Sequence, residues 1–179
     1  MTLVYELPGV SNEPVPVSDL PEVEQELLPP PDPYVVAIHE AGHSVVCCLL
    51  DVPFDCVTIS PFEEGSVHID SGCASTTNPP SRAKGSSESD LRAYGISTIA
   101  AEIAQRRVDP SASDAWFEGD RIGLASLKLD DIPALKAETK KLVEENWQEI
   151  DAVAKALLKR KTLGGLSVKL IVFTSPGGH

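Results

Sequence analysis

The tightest constraint on this chain is the pentapeptide His39-Glu40-Ala41-Gly42-His43, embedded in a run with almost no other polar residue. Val35, Val36, Ile38, Val45, Val46, Cys47, Cys48, Leu49 and Leu50 surround it, and Ser44 is the one further polar side chain among them. A helix that is apolar nearly all round is a buried helix. Asp32-Pro33 predicts its start, with Asp as N-cap and Pro preorganised for the first turn. Asp51-Val52-Pro53 predicts its end, so the helix is expected from about Pro33 to Leu50. Two imidazoles and a carboxylate inside such a helix need partners, because burying a polar group unpaired costs about 1–3 kcal/mol.

The pentapeptide has the H-E-x-x-H spacing. Residues four apart lie one above the other on a helix, so His39 and His43 can grip one Zn²⁺. Glu40 then sits where it can take a proton from a zinc-bound water, whose pKa the metal lowers toward about 7. The plainer alternative is a buried helix whose histidines merely hydrogen-bond to backbone groups. The helical context favours a zinc hydrolase with Glu40 as its catalytic base and Zn²⁺ as its cofactor.

Composition narrows the setting. At 179 residues the chain suits one compact domain, or a domain plus a tail. A net charge of −12 and the lack of a basic stripe argue against nucleic acid as a partner. They also argue against attraction to anionic membrane surfaces. No apolar run reaches the roughly 18 residues of a membrane span. Residues 1–31 are acidic and Pro-rich, unlike a signal peptide, and read as an extended arm. The cysteines (Cys47, Cys48, Cys56, Cys73) show no C-x-x-C spacing and read as reduced thiols, which with the absent leader signals gives a cytoplasmic expectation. Cys47 follows His43 by four, so a thiolate ligand is conceivable there; a small buried hydrophobe is the favoured reading of Cys47 and Cys48 alike.

Beyond the first helix the pattern predicts a mainly α domain over 32–173 with a small β-hairpin, and a flexible tail over 174–179. Two β-prone runs, 56–60 and 66–70, flank a turn at 61–65. Residues 71–87 are rich in Ser, Thr, Gly and Pro and read as a loop. Ser87 with Asp90 forms a capping-box pattern that starts a second helix ending near Arg107, before Asp109-Pro110. A third helix falls within 114–129. A fourth, the longest, is expected from Pro133 to about Arg160, stopped by Gly164-Gly165, with a last short helix or strand to Phe173. Trp116 and Trp147 read as core or interface aromatics.

A catalytic zinc site needs three protein ligands and an open position. The H-E-x-x-H-x-x-G-x-x-H extension is missing, so the third ligand lies elsewhere. Glu102, Asp114, Asp120 and His68 are the candidates, and spacing does not choose among them. His68, in an alternating strand, reads better as a cross-strand neighbour. Glu102, on a largely apolar helix, is expected to orient a ligand histidine through its free ring nitrogen; the plain alternative is a half-solvated surface carboxylate.

The run Ala37-Ile38-His39-Glu40-Ala41-Gly42-His43-Ser44-Val45-Val46, followed by Val57-Thr58-Ile59-Ser60-Pro61, resembles the peptidase domain of the FtsH-type ATP-dependent zinc proteases. Ile99-Ala100-Ala101-Glu102-Ile103 is similar to that family's A-A-E helix, and Gly119-Asp120-Arg121-Ile122-Gly123 to its aspartate-bearing helix start. The resemblance spans about residues 34–170. It implies a helical zincin-like peptidase fold and an aspartate as third ligand. Asp120 is preferred because it follows Gly119 and opens an apolar helical pattern; its plain alternative is an N-cap. Asp114 is the runner-up, with a capping role toward Ser111 as its own alternative.

The family carries an ATPase module and usually membrane anchors, whereas this sequence has no G-x-x-x-x-G-K-[ST] phosphate loop. Two functions are therefore carried forward. The first is a stand-alone zinc metalloendopeptidase acting on a peptide or an unfolded protein segment, with the 57–60 strand aligning the substrate by strand addition. The second is a catalytically silent zinc-fold module, a scaffold acting with a partner protein. Both allow a separate ATPase partner and a homo-oligomer.

Overall fold

The computed structural model describes residues 32–60 and 79–174 in full, and the backbone of 62–64, 67–69 and 73–75. The expected arm over 1–31 and all but Thr174 of the expected tail lie outside the described residues.

The described chain is mainly helical, as expected. Its first helix, α1 (Pro33–Leu49), starts where Asp32 accepts a hydrogen bond from the Tyr34 N–H and Pro33 occupies the first turn. Ten of its residues are buried, Ala37, Ile38, Ala41, Val45 and Val46 completely. It packs against α2 (Glu88–Val108), α5 (Trp147–Arg160) and α6 (Gly165–Thr174). The core forms where α1 meets Ile96, Ile99, Ala100 and Ala104 of α2, Ile150, Val153, Ala154 and Leu157 of α5, and Val168 and Val172 of α6. The capping box that starts α2 is formed by Ser87 and Asp90, as the sequence predicts.

Gly42 sets how close α1 comes to α2. A Cβ there would stand 3.0 Å from the Ala101 Cα, 3.1 Å from the Ala100 carbonyl oxygen and 3.1 Å from the Ala104 Cβ. Three alanines on one helix and a glycine on the other therefore let the two backbones approach. Side chains of α1 can then reach main-chain and side-chain groups of α2.

Four expectations are corrected. The long fourth helix is two helices, α4 (Ile132–Glu145) and α5, broken at Asn146. There φ −112°, ψ 28° departs from helical values, and the Asn146 side chain donates to the Leu142 carbonyl in competition with the helix ladder. Second, α5 ends at Arg160 as expected, but what stops it is Lys161, which adopts a left-handed φ of 66°, and not Gly164-Gly165. Third, 56–60 does not pair with 66–70. Instead β1 (Cys56–Thr58) lies between β4 (Cys73–Ser75), which falls in the stretch expected to be loop, and β5 (Thr162–Gly164), antiparallel to both. Meanwhile β2 (Phe62–Glu64), in the expected turn, pairs with β3 (Val67–Ile69), in the expected second strand, as a separate hairpin. Val57 and Leu163 are register partners and both buried, which joins the sheet to the core. Fourth, β1 has a strand on each side, so its edges are taken and strand addition of a peptide to 57–60 is not open to it.

Between α2 and α4 the chain makes a 3₁₀ turn over Asp114–Phe117 and then α3 (Glu118–Ser126). None of the nine residues of α3 is fully buried; Leu124 is partly buried against the core, and Ile122 stands 65% exposed. Its apolar anchors lie just beyond its ends, at Phe117 (0% exposed) and Leu127 (2%). Among the described residues, no helix is long and apolar enough to cross a membrane.

Candidate metal centre

One turn of α1 presents His39 and His43 on the same face, their rings 4.9 Å apart and nearly perpendicular. Each ring is oriented from α2. The Nδ1 of His39 lies 2.9 Å from Gln105 Oε1, and the Nδ1 of His43 lies 2.9 Å from the Ser97 carbonyl oxygen. Both partners are carbonyl oxygens and accept, so both Nδ1 atoms donate. In the neutral imidazole that leaves the Nε2 lone pair free to bind a cation. Ser97 and Gln105 are 2% and 5% exposed, so these contacts are out of water.

The two Nε2 atoms converge on a third donor from α3. Asp120 Oδ2 lies 3.2 Å from His39 Nε2 and 3.3 Å from His43 Nε2. Four donors at the usual zinc–nitrogen and zinc–oxygen lengths sit about 3.3–3.4 Å apart on a tetrahedron's edges. The observed separations fit that edge. His39, His43 and Asp120 thus form a group that could hold a metal ion.

Two further observations fit a cation here. Asp120 Oδ2 and Glu40 Oε2 are buried oxygens with no hydrogen bond among the described residues, an arrangement that costs free energy unless a charge compensates it. The electrostatics also favour positive charge. Burial alone would lower the His43 imidazole, but the adjacent Asp120 carboxylate raises it to about 9. Burial would raise the Asp120 carboxyl, yet the two imidazoles hold it well below the usual range. Glu40, 3% exposed, is pushed up by burial, against the pull of His39 and His43.

The other sequence candidates are not brought to this point. Asp114 stands 72% exposed and pairs with Arg106 and with Arg121 Nη2 at 3.0 Å. Its expected link to Ser111 is absent, since Ser111 bonds Asp109 and the cap of that 3₁₀ turn is Ser113. Glu102 does not touch a ring nitrogen of either histidine, because Gln105 and Ser97 occupy those positions. Its carboxylate instead accepts from Arg106 Nε at 3.0 Å and Arg121 Nη2 at 2.9 Å. Burial works against its charge, and the two guanidiniums hold its carboxyl below the ordinary value. The His68 side chain lies outside the described residues, and Cys47 is not among the converging donors. Burial pushes the Cys47 thiol up to about 11, the behaviour of a core residue.

Sequence reasoning missed Gln105, Ser97 and Phe117. The first two were findable: Ser97, Ala101 and Gln105 are spaced i, i+4, i+8, so they share the face of α2 that the small alanines mark as a close-packing face. Phe117 stacks on His39 with centroids 6.1 Å apart and 15° between planes, and carries the Arg106 guanidinium on its ring at 4.6 Å. No family model and no curated protein matches the chain.

Proposed function

We propose that this chain is a zinc-dependent metalloendopeptidase of the helical, zincin-like kind. One observation carries the reading: His39 Nε2, His43 Nε2 and Asp120 Oδ2 converge from two helices beside a buried glutamate with an unpartnered oxygen. Two imidazole nitrogens and one carboxylate are the donor set of a catalytic zinc site with one position left open. When bound, zinc would supply a water acidic enough to ionise near neutral pH and a Lewis acid for the scissile carbonyl. The chain's own residues do the rest. Gln105 and the Ser97 carbonyl keep both rings in the ligating tautomer, and Phe117 packs against His39 on the α3 side. Glu40 takes the proton of the attacking water and returns it to the leaving amine. The likeness of the His39–Val46 motif to the FtsH-type peptidases supports the same chemistry, with a flexible segment as substrate and a separate ATPase as a candidate partner.

A second reading, a metal-bearing binding module, draws on a different observation. Leu166, Leu170 and Phe173 follow one face of α6 and are 86%, 65% and 55% exposed, an apolar stripe of the kind partner surfaces use. Cleavage of an unfolded casein, with and without a chelator, separates the two. The peptidase reading expects chelator-sensitive cutting that Glu40→Gln reduces at least about 100-fold while bound zinc is retained. Full turnover by Glu40→Gln would remove Glu40 as the base. No cutting by a zinc-loaded wild type would put the binding module first.

A further inference from the structure

Asp120 reaches the histidine pair from a helix none of whose residues is fully buried. Phe117 and Leu127 pin the two ends of α3 in the apolar interior. Arg82, in a 3₁₀ turn before α2, adds a polar hold by donating to the Leu127 and Lys128 carbonyls at 2.9 and 3.0 Å. These pins, with the partly buried Leu124 packed against the core, fix where the helix lies; Asp120 sits a turn away from Leu124, where polar contacts set the direction. Rotation decides where Asp120 points: successive residues are about 100° apart on a helix, a consequence of 3.6 residues per turn. The next residue, Arg121, has its direction defined by ion pairs. Its guanidinium donates to Glu102 Oε1 at 2.9 Å and to Asp114 Oδ1 at 3.0 Å, with its Nε 3.4 Å from Glu102 Oε2. Glu102 is itself held in place by Arg106 Nε at 3.0 Å, and Arg106 is tied by Nη1 to the Ala112 carbonyl at 3.1 Å. Glu102 is also the least exposed carboxylate of this network, at 20% against 72% for Asp114.

We propose that Glu102 is the positioning residue for the metal's carboxylate ligand: by holding Arg121 to α2, it fixes the rotation of α3 that aims Asp120 at His39 and His43. The inference rests on the metal-centre reading and concerns metal affinity, not turnover. Glu102 acts on a ligand two steps away, through a cation, and not on an imidazole.

The test is a zinc titration of the full chain against a competing chelator, with thermal melts in excess chelator alongside. Glu102→Gln is expected to weaken zinc binding about tenfold or more, the scale of losing a group that orients a ligand, with little change in the chelator melt. Arg121→Gln should do the same and serves as the second variant if Glu102→Gln fails to fold. Glu138→Gln, which breaks the Arg92–Glu138 ion pair between α2 and α4, should leave zinc affinity unchanged. The decisive arm is a double-mutant cycle. In an Asp120→Ala background, Glu102→Gln should have no further effect on zinc affinity, because the residue it positions is gone. An equal loss in both backgrounds overturns the inference in favour of a merely structural role. Unchanged affinity in both single variants overturns it too, while leaving the metal centre intact. A wild type that binds no zinc overturns the metal centre itself, and this inference with it.

Discussion

Helices α1 and α3 each deliver part of one donor set, and opposite forces hold them. α1 is buried through the middle of the core, so His39 and His43 are placed by the same packing that folds the domain. No residue of α3 is fully buried, and the helix is located by Phe117 and Leu127 at its ends, the partly buried Leu124 and a set of arginine contacts. The histidine half of the site is thus as stable as the fold, whereas the aspartate half depends on a few apolar anchors and on polar contacts near the surface. Local stability of that kind varies across a structure, and elements with few buried contacts open at low cost.

The sharpest way to test this contrast is Asp120→Ala. It should weaken zinc binding by more than the 10–100-fold typical of removing an outer hydrogen-bond partner, yet leave the chelator-treated melting temperature nearly unchanged above about pH 9, where the His43–Asp120 pair no longer contributes to stability. A large fall in that melt would break the comparison. Next in size, Gln105→Leu removes the acceptor of the His39 Nδ1–H in a buried place. Zinc affinity should fall about 10–100-fold, and the same titration checks it. Gly42→Ala probes α1 from the other side. Its Cβ would press on the Ala101 backbone at 3.0 Å, so urea unfolding should show a loss of about 1–3 kcal/mol from overpacking.

The metal-free protein offers a pH test with a definite sign. His43 is raised from its ordinary value of 6.5 to about 9 in the fold. Its stabilisation is therefore fully present below about 6.5 and is lost as pH rises through about 9. Asp120 is held below its ordinary 3.8, so its contribution is present above that value and is lost as pH falls toward its folded pKa. In chelator, urea midpoints should decline from pH 6.5 to 9. Asp120→Asn should remove that decline, and its persistence would mean that the two groups are not coupled. The smallest effect expected is that of Asp114→Asn. Its ion pairs are exposed, and such pairs contribute about 0–1 kcal/mol. A loss of zinc binding as large as that of Asp120→Ala would contradict the assignment of Asp120.

Much of the helical order was legible because it is local. The Asp32-Pro33 start of α1, the Ser87–Asp90 box of α2 and the stop at Asp109 are signals carried within a few residues. The break at Asn146 was not, since α4 and α5 share one apolar period across it and only a side-chain bond to Leu142 marks the interruption. The pairing of β1 was not legible either. Its partner β5 lies about a hundred residues away, and three-residue strands carry no register signal strong enough to select it.

The H-E-x-x-H face of α1, its burial, and the need for something to compensate two imidazoles and a carboxylate there all follow from the local pattern of residues 32–53. The sequence also narrowed the third donor to a few residues on later elements. Choosing among them took the packing of α3. It brought Asp120 to 3.2 and 3.3 Å from the imidazoles, turned Asp114 outward, and assigned Glu102 to Arg106 and Arg121 instead of a histidine. The physical reason is one of range. Helical spacing acts over one or two turns, while α3 is docked by contacts such as Arg121–Glu102, 19 positions apart, and Arg82–Leu127, 45 apart, for which no local period speaks.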